Sequence, residues 1–140
     1  MTEFLSHSAD DTKRIAADFA KTLTGGEVVA FSGGLGMGKT TFVSGAAAAL
    51  GVGDYVSSPT FAIVNDYGGK PRIYHFDMYR VTDWDSLYST GFFDYMTDEN
   101  VLFIEWSENI DGALPENTIR IDFEKTGDNE RRITINGGGF

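Results

Sequence analysis

The chain contains no cysteine. That excludes a disulfide framework and a thiolate metal site. His7 and His75 are its only histidines, too few ligands for a structural zinc ion without thiols. Basic residues are scarce as well. Eleven Lys and Arg stand against 21 Asp and Glu, for a formal net charge of -10. A chain of that sign is not built to grip nucleic acid alone, because phosphate backbones select Lys- and Arg-rich surfaces. Its acidity serves solubility or docking onto a basic partner surface. There is no run of about 18 apolar residues, so no membrane span is expected. Residues 1–10 are polar and lack the basic start and apolar middle of a signal peptide, which points to the cytoplasm. No internal repeat is present, and low complexity is confined to the glycines at 137–139.

What is present suits one domain over residues 1–140. Hydrophobic residues make up 41% and charged residues 23%, with eleven Phe, six Tyr and two Trp to fill a core. Ser8 followed by Asp11 reads as a helix start of capping-box type. Ile15, Phe19 and Leu23 then recur every four residues, one apolar stripe on a helix of about four turns. Gly25 and Gly26 stop it. Residues 27–32 are short, apolar and rich in β-formers, which predicts a buried strand. Residues 39–50 are Ala-rich and helical, closed by Gly51.

Residues 61–67 and 72–77 predict two strands joined by a hairpin turn at 68–71. Residues 83–88 begin a short helix and 91–96 form another helical piece. Residues 101–104 are a second buried strand, ending in Glu105. Residues 117–124 alternate, with Ile119, Ile121 and Phe123 on one side and Arg120, Asp122 and Glu124 on the other. A turn at 127–129 leads into a strand at 131–135. The expected fold is α/β: a P-loop NTPase-like three-layer sandwich. Its mixed central sheet is mostly parallel, with helices on both faces and a C-terminal β-hairpin.

Residues 33–40 carry the chemistry. Gly33, Gly34, Leu35, Gly36, Met37, Gly38, Lys39 and Thr40 match G-x-x-x-x-G-K-[ST] in full. Glycines let the backbone curl with positive φ and approach a ligand closely. The inward N–H groups form a nest for anionic oxygens, and the helix opening at Lys39 adds its positive end. Lys39 reaches the β- and γ-phosphates, the Thr40 hydroxyl sits on Mg²⁺, and Thr41 completes the cofactor-binding set. The strand-loop-helix context is the one the mechanism requires. No Asn-Lys-x-Asp guanine-reading motif is present, which favours ATP over GTP.

A P-loop NTPase also needs an acid near its metal, usually at the end of a buried strand. Glu105 emerges at the carboxyl end of such a strand, where open α/β sheets bind their ligands. It can hold Mg²⁺ through water or act as base on the attacking water, and spacing does not separate the two. In the strand at 72–77, His75 and Asp77 share one face, and such a pair can hold metal-bound water or orient a neighbour. Ser57, Ser58, Pro59 and Thr60 occupy the place where GTPase-like proteins carry a switch. A simple Ser/Pro turn is the plainer reading of that segment.

Together four stations resemble one family. The P-loop, then Ser58-Pro59-Thr60-Phe61, then His75-Phe76-Asp77-Met78-Tyr79-Arg80, then Ile104-Glu105-Trp106 is similar to TsaE (YjeE) proteins over about residues 27–132. Leu114-Pro115 before the terminal hairpin fits too. The resemblance implies an ATPase of bacterial tRNA threonylcarbamoyladenosine biosynthesis, working with TsaB and TsaD while those partners hold most of the tRNA. It implies that ATP hydrolysis resets the partner complex between turnovers. Carried onto this chain, Lys39 and Thr40 are the phosphate and Mg²⁺ residues. Glu105 and Asp77 are the acids at the metal, and Thr60 is the switch-like hydroxyl. Lys39, Thr60, Asp77 and Glu105 form the catalytic set. Trp106 packs near the site, and Arg132, or its neighbour Arg131, reaches the nucleotide from the terminal hairpin.

Two other readings of the same P-loop exist. A small-molecule kinase needs an acceptor pocket and an Arg-bearing lid, and no lid insertion stands out. A nucleotide-dependent binding module would use ATP to change partner affinity with little turnover.

Overall fold

The computed structural model describes residues 1–33, 38–52 and 64–138. Its strands are β1 (Thr2–Ser6), β2 (Val28–Ser32), β3 (Val64–Gly68), β4 (Arg72–Asp77), β5 (Asn100–Glu105), β6 (Ile119–Lys125) and β7 (Arg131–Asn136). Its helices are α1 (Ala9–Ala20), α2 (Lys39–Ala49), α3 (Trp84–Ser89) and α4 (Phe92–Tyr95), with a 3-10 segment at Ser107–Ala113. The strands form one sheet in the order β1-β7-β6-β2-β5-β4-β3. The central four, β6, β2, β5 and β4, are parallel, while β1, β7 and β3 pair antiparallel. The expected mixed sheet with a parallel centre and a C-terminal β6-β7 hairpin is the observed one.

Local chemistry starts α1 as the sequence indicates. Ser8 is extended at φ -163°, and its hydroxyl accepts from Asp11 N at 3.0 Å. Asp11 reaches back to accept from His7 N at 2.9 Å. That backbone bond is the main cause holding the Asp11 carboxyl below its ordinary range. The α-helix ends at Ala20, before Leu23. Tighter turns from Thr22 N to Phe19 O and Leu23 N to Ala20 O carry the chain on, and Leu23 stays buried.

Alternation along the strands feeds two cores. Val29 and Phe31 of β2, with Ile121 and Phe123 of β6, face α1 and α2. Phe42 of α2 sits at the centre there, its ring 5.7 Å from Phe19 and 5.8 Å from both Phe31 and Phe123. On the other face, Val28, Phe76, Leu102 and Ile104 pack with Leu87 of α3, Phe92 of α4 and Ile110. Helices therefore cover both faces of the sheet centre. Beyond it, Arg120, Asp122 and Glu124 of β6 remain exposed.

Strand β1 was not expected from the sequence. It runs antiparallel to β7, from Thr2 opposite Ile135 to Ser6 opposite Arg131. Phe4 packs on the α1 side, while Glu3 and Leu5 are exposed. Its alternation is too short and polar to stand out from a loop, and it becomes a strand only because β7 offers an edge. The β3-β4 hairpin is observed from Val64 onward, and residues 61–63 of the expected strand lie outside the described residues.

Candidate functional site

Three parallel strands deliver the site. Ala30 of β2 and Phe76 of β4 both pair with Ile104 of β5, and Asp77 pairs with Glu105. The carboxyl ends of β2, β5 and β4 thus carry Gly33, Glu105 and Asp77 at one sheet edge, the usual ligand end of an open α/β sheet.

Gly33 leaves β2 at φ 117° and closes against β6. A Cβ there would lie 2.6 Å from the Phe123 carbonyl oxygen, so only glycine fits. Gly38 precedes α2 at φ 96°, a left-handed entry that aims the first helical N–H groups back toward the loop. No acidic residue stands in the first turn of α2, which holds Lys39, Thr40 and Thr41. That end of the helix favours an anion. Gly34, Leu35, Gly36 and Met37 lie outside the described residues, as does Thr60.

Lys39 is 7% exposed. Its Nζ donates to the Gly33 carbonyl at 2.8 Å and lies 5.8 Å from the Trp106 ring centroid. Among the described residues no carboxylate pairs with it. Trp106 adopts φ 58°, and its ring packs 4.8 Å from that of Tyr79. Trp106 thus packs beside Lys39.

Glu105 is 8% exposed at the end of β5, and its carbonyl accepts from Met78 N at 3.0 Å. Its Oε2 lies 2.6 Å from His75 Nε2. His75 is fully buried, and its Nδ1 lies 2.8 Å from the Tyr67 hydroxyl. The sequence pairs His75 with Asp77, but the structure pairs it with Glu105. In the register His75 sits opposite Phe103, so Glu105 is two residues on along the same face and its longer side chain spans the diagonal. Asp77 turns instead to its own chain and accepts from Tyr79 N at 2.9 Å. Among the described residues no group of three or more His, Asp or Glu gathers in the way an all-protein metal cage requires.

A cavity of about 540 Å³ opens beside the start of α2. Gly38 and Thr41 line it from the P-loop side, Ser6, Ser8 and Thr12 from β1 and α1, and Asp128, Asn129 and Arg131 from the β6-β7 turn. Ser6 and Thr12 bond hydroxyl to hydroxyl at 2.7 Å. Of the two hairpin arginines, Arg131 reaches this cavity. Arg132 does not: it projects from the other side of β7 and pairs with Glu124 at 3.1 Å. Alternation decides this, because Arg131 shares its face with the buried Ile133 and Ile135.

Sequence reasoning gave no role to Tyr67, Ser6 or Thr12. Tyr67 falls within a predicted strand, but a bulge between Asp66 and Gly68 hides its register against His75. Ser6 and Thr12 become site candidates only once β1 is seen beside β7.

The family model of the threonylcarbamoyl adenosine biosynthesis protein TsaE matches residues 6–133. A tRNA threonylcarbamoyladenosine biosynthesis protein TsaE from Treponema pallidum is 36% identical over 131 residues, 94% of this chain and 97% of that protein. The TsaE of Bacillus subtilis is 37% identical, covering 93% of this chain and 82% of its own length. The crystal structure of Bacillus subtilis YdiB superposes with a TM-score of 0.78 at 32% identity, covering 99% of this chain and 86% of that one. With a P-loop lysine buried at the ends of the parallel strands and this match over most of its length, the chain belongs to the TsaE family of threonylcarbamoyl adenosine biosynthesis proteins.

Proposed function

We propose that this chain binds ATP with Mg²⁺ and hydrolyses it as the ATPase of tRNA threonylcarbamoyladenosine biosynthesis, acting with TsaB and TsaD. One observation carries the nucleotide half of this reading. Lys39 keeps a buried ammonium at a helix N-terminus, with a carbonyl and an indole face for contacts and no carboxylate among the described residues. Burying a cation without a counter-charge is costly, so the site is built for an anion that arrives from outside. A triphosphate meets that need, and the glycine-rich sequence before α2 suits the matching cradle.

The residues present also fit Mg²⁺. Thr40 offers a hydroxyl in the first turn of α2, and the carboxylates Glu105 and Asp77 end neighbouring strands. Mg²⁺ is commonly held by one or two carboxylates, phosphate oxygens and water. When bound, it would neutralise charge on the phosphates. Glu105 orients or deprotonates the attacking water, Lys39 holds the β- and γ-phosphates, and Thr60 is the hydroxyl that senses the γ-phosphate. Asp77 orders the turn through Tyr79 N and would be the second acid at the metal. The base and ribose enter the cavity beside Thr41, with Arg131 reaching them from the β6-β7 turn. Of the two arginines between which the resemblance left this part open, Arg131 takes it rather than Arg132.

The relatives named for tRNA threonylcarbamoyladenosine biosynthesis support the pathway, and the acidic net charge supports a protein that leaves tRNA to basic partners. Calorimetric titration of the chain with ATP or ADP, with and without Mg²⁺, tests the nucleotide half. Binding that strengthens with Mg²⁺ and weakens at least tenfold in Lys39→Ala is expected. Equal affinity of the two proteins would remove the P-loop from the account.

A further inference from the structure

We propose that Tyr67 and His75 are positioning residues for Glu105, a fixed hydrogen-bonded chain that aims its carboxylate into the site. This rests on the reading of Glu105 given above. The chain's direction follows from what each group can donate. An ionised carboxylate only accepts, so His75 Nε2 carries the proton and donates to Glu105 Oε2 across 2.6 Å. In a neutral ring Nδ1 is then the acceptor, and the Tyr67 hydroxyl donates to it across 2.8 Å. Each link therefore sets the next: the carboxylate fixes the tautomer, the tautomer leaves Nδ1 as acceptor, and the tyrosine hydroxyl donates to it and holds the ring that holds the carboxylate.

The surroundings make this chain rigid. His75 has no exposed surface, and the ring of Tyr67 packs against the larger core, 5.9 Å from the imidazole. The three residues lie on three adjacent strands, β3, β4 and β5, with their side chains on one sheet face. A catalytic carboxylate on a strand end with a free rotamer would sample several directions. Holding Oε2 leaves one direction for the rest of the group. The arrangement has the logic of the acid-to-histidine supports found behind metal and catalytic groups, whose loss typically costs about 10–100-fold in activity or metal affinity. It also connects Glu105 to β3, the first described strand after residues 57–60.

The test is steady-state ATP hydrolysis of the full chain with TsaB and TsaD, and Mg²⁺-ADP titration of the chain. The proteins are wild type, Glu105→Gln, Tyr67→Phe, His75→Gln and His75→Leu. Tyr67→Phe removes one oxygen and keeps the ring, so it reads the chain without threatening the fold. The expected result is a kcat lowered about tenfold in Tyr67→Phe, with KM and ADP affinity within twofold of wild type. His75→Leu falls further, and His75→Gln, whose amide nitrogen restores a donor toward Glu105, recovers part of the loss. Wild-type kcat in both Tyr67→Phe and His75→Gln overturns the proposal, as does a parallel loss of ADP affinity and kcat. If Glu105→Gln itself turns over at the wild-type rate, the reading of Glu105 fails and takes this inference with it. If Glu105→Gln is inactive while the Tyr67 and His75 variants are unaffected, the inference alone fails.

Discussion

Lys39 Nζ donates to the carbonyl of Gly33 at 2.8 Å, so the last charged residue of the phosphate motif is tied to its first glycine. The bond joins the residues that flank positions 34–38. It gives a buried ammonium one polar contact and leaves its charge unneutralised among the described residues. Lys39→Ala should therefore lower nucleotide affinity without harming the fold. Losing a hydrogen bond to a charged group costs about 1.5–3 kcal/mol, which is about 10–150-fold in affinity. Thermal unfolding should shift by no more than a few degrees, since no buried carboxylate among the described residues is orphaned. A collapse of Tm would mean that the lysine is a structural residue.

Gly33 predicts a steric failure. A Cβ would lie 2.6 Å from the Phe123 carbonyl, at a φ of 117° that side chains rarely adopt. Gly33→Ala should destabilise the protein by roughly 1–3 kcal/mol or force β2 away from β6. Urea unfolding measures the loss, and an unchanged midpoint would contradict the close approach.

The hairpin arginines separate cleanly. Arg131→Ala should weaken ATP binding several-fold, because that side chain lines the cavity with Gly38 and Thr41. Arg132→Ala should leave binding unchanged and cost the exposed pair with Glu124, worth about 0.2–1 kcal/mol at most. Titration of both variants with ATP checks this, and the reverse ranking would move the nucleotide to the other face of β7.

The β3-β4 hairpin should show a mild acid dependence. Arg72 donates to Asp66, and this hydrogen bond is the chief reason the Asp66 carboxyl lies below its ordinary value of 3.8. A depressed folded-state value means the stabilisation is complete above the ordinary value and is lost as pH falls through the lower folded one. Asp66→Asn should thus be less stable than wild type at neutral pH, with the gap closing as pH falls below the ordinary carboxylate range. A gap that persists at low pH would assign the difference to something other than the ion pair.

Much of this architecture was legible because its signals are local. The run from Val28 to Ser32, the glycine-lysine motif and the alternation of Ile119, Ile121 and Phe123 each dictate an element without help from elsewhere. Glu105 was legible for the same reason, as an acid ending an apolar strand. What was hidden depends on partners distant in sequence. Strand β1 exists through β7, and His75 chooses Glu105 over Asp77 through a register between β4 and β5 that hydrophobic patterning does not encode. Which arginine faces the cavity turns on one residue of phase in β7, visible once Ile133 and Ile135 are seen in the core.

The most direct measurement is ATP hydrolysis by the purified chain, alone and with TsaB and TsaD, for wild type, Lys39→Ala and Glu105→Ala. The account predicts turnover stimulated by the partners, abolished by both substitutions, with Glu105→Ala still binding ATP. Turnover that ignores the partners, or survives the loss of Lys39 and Glu105, would contradict it.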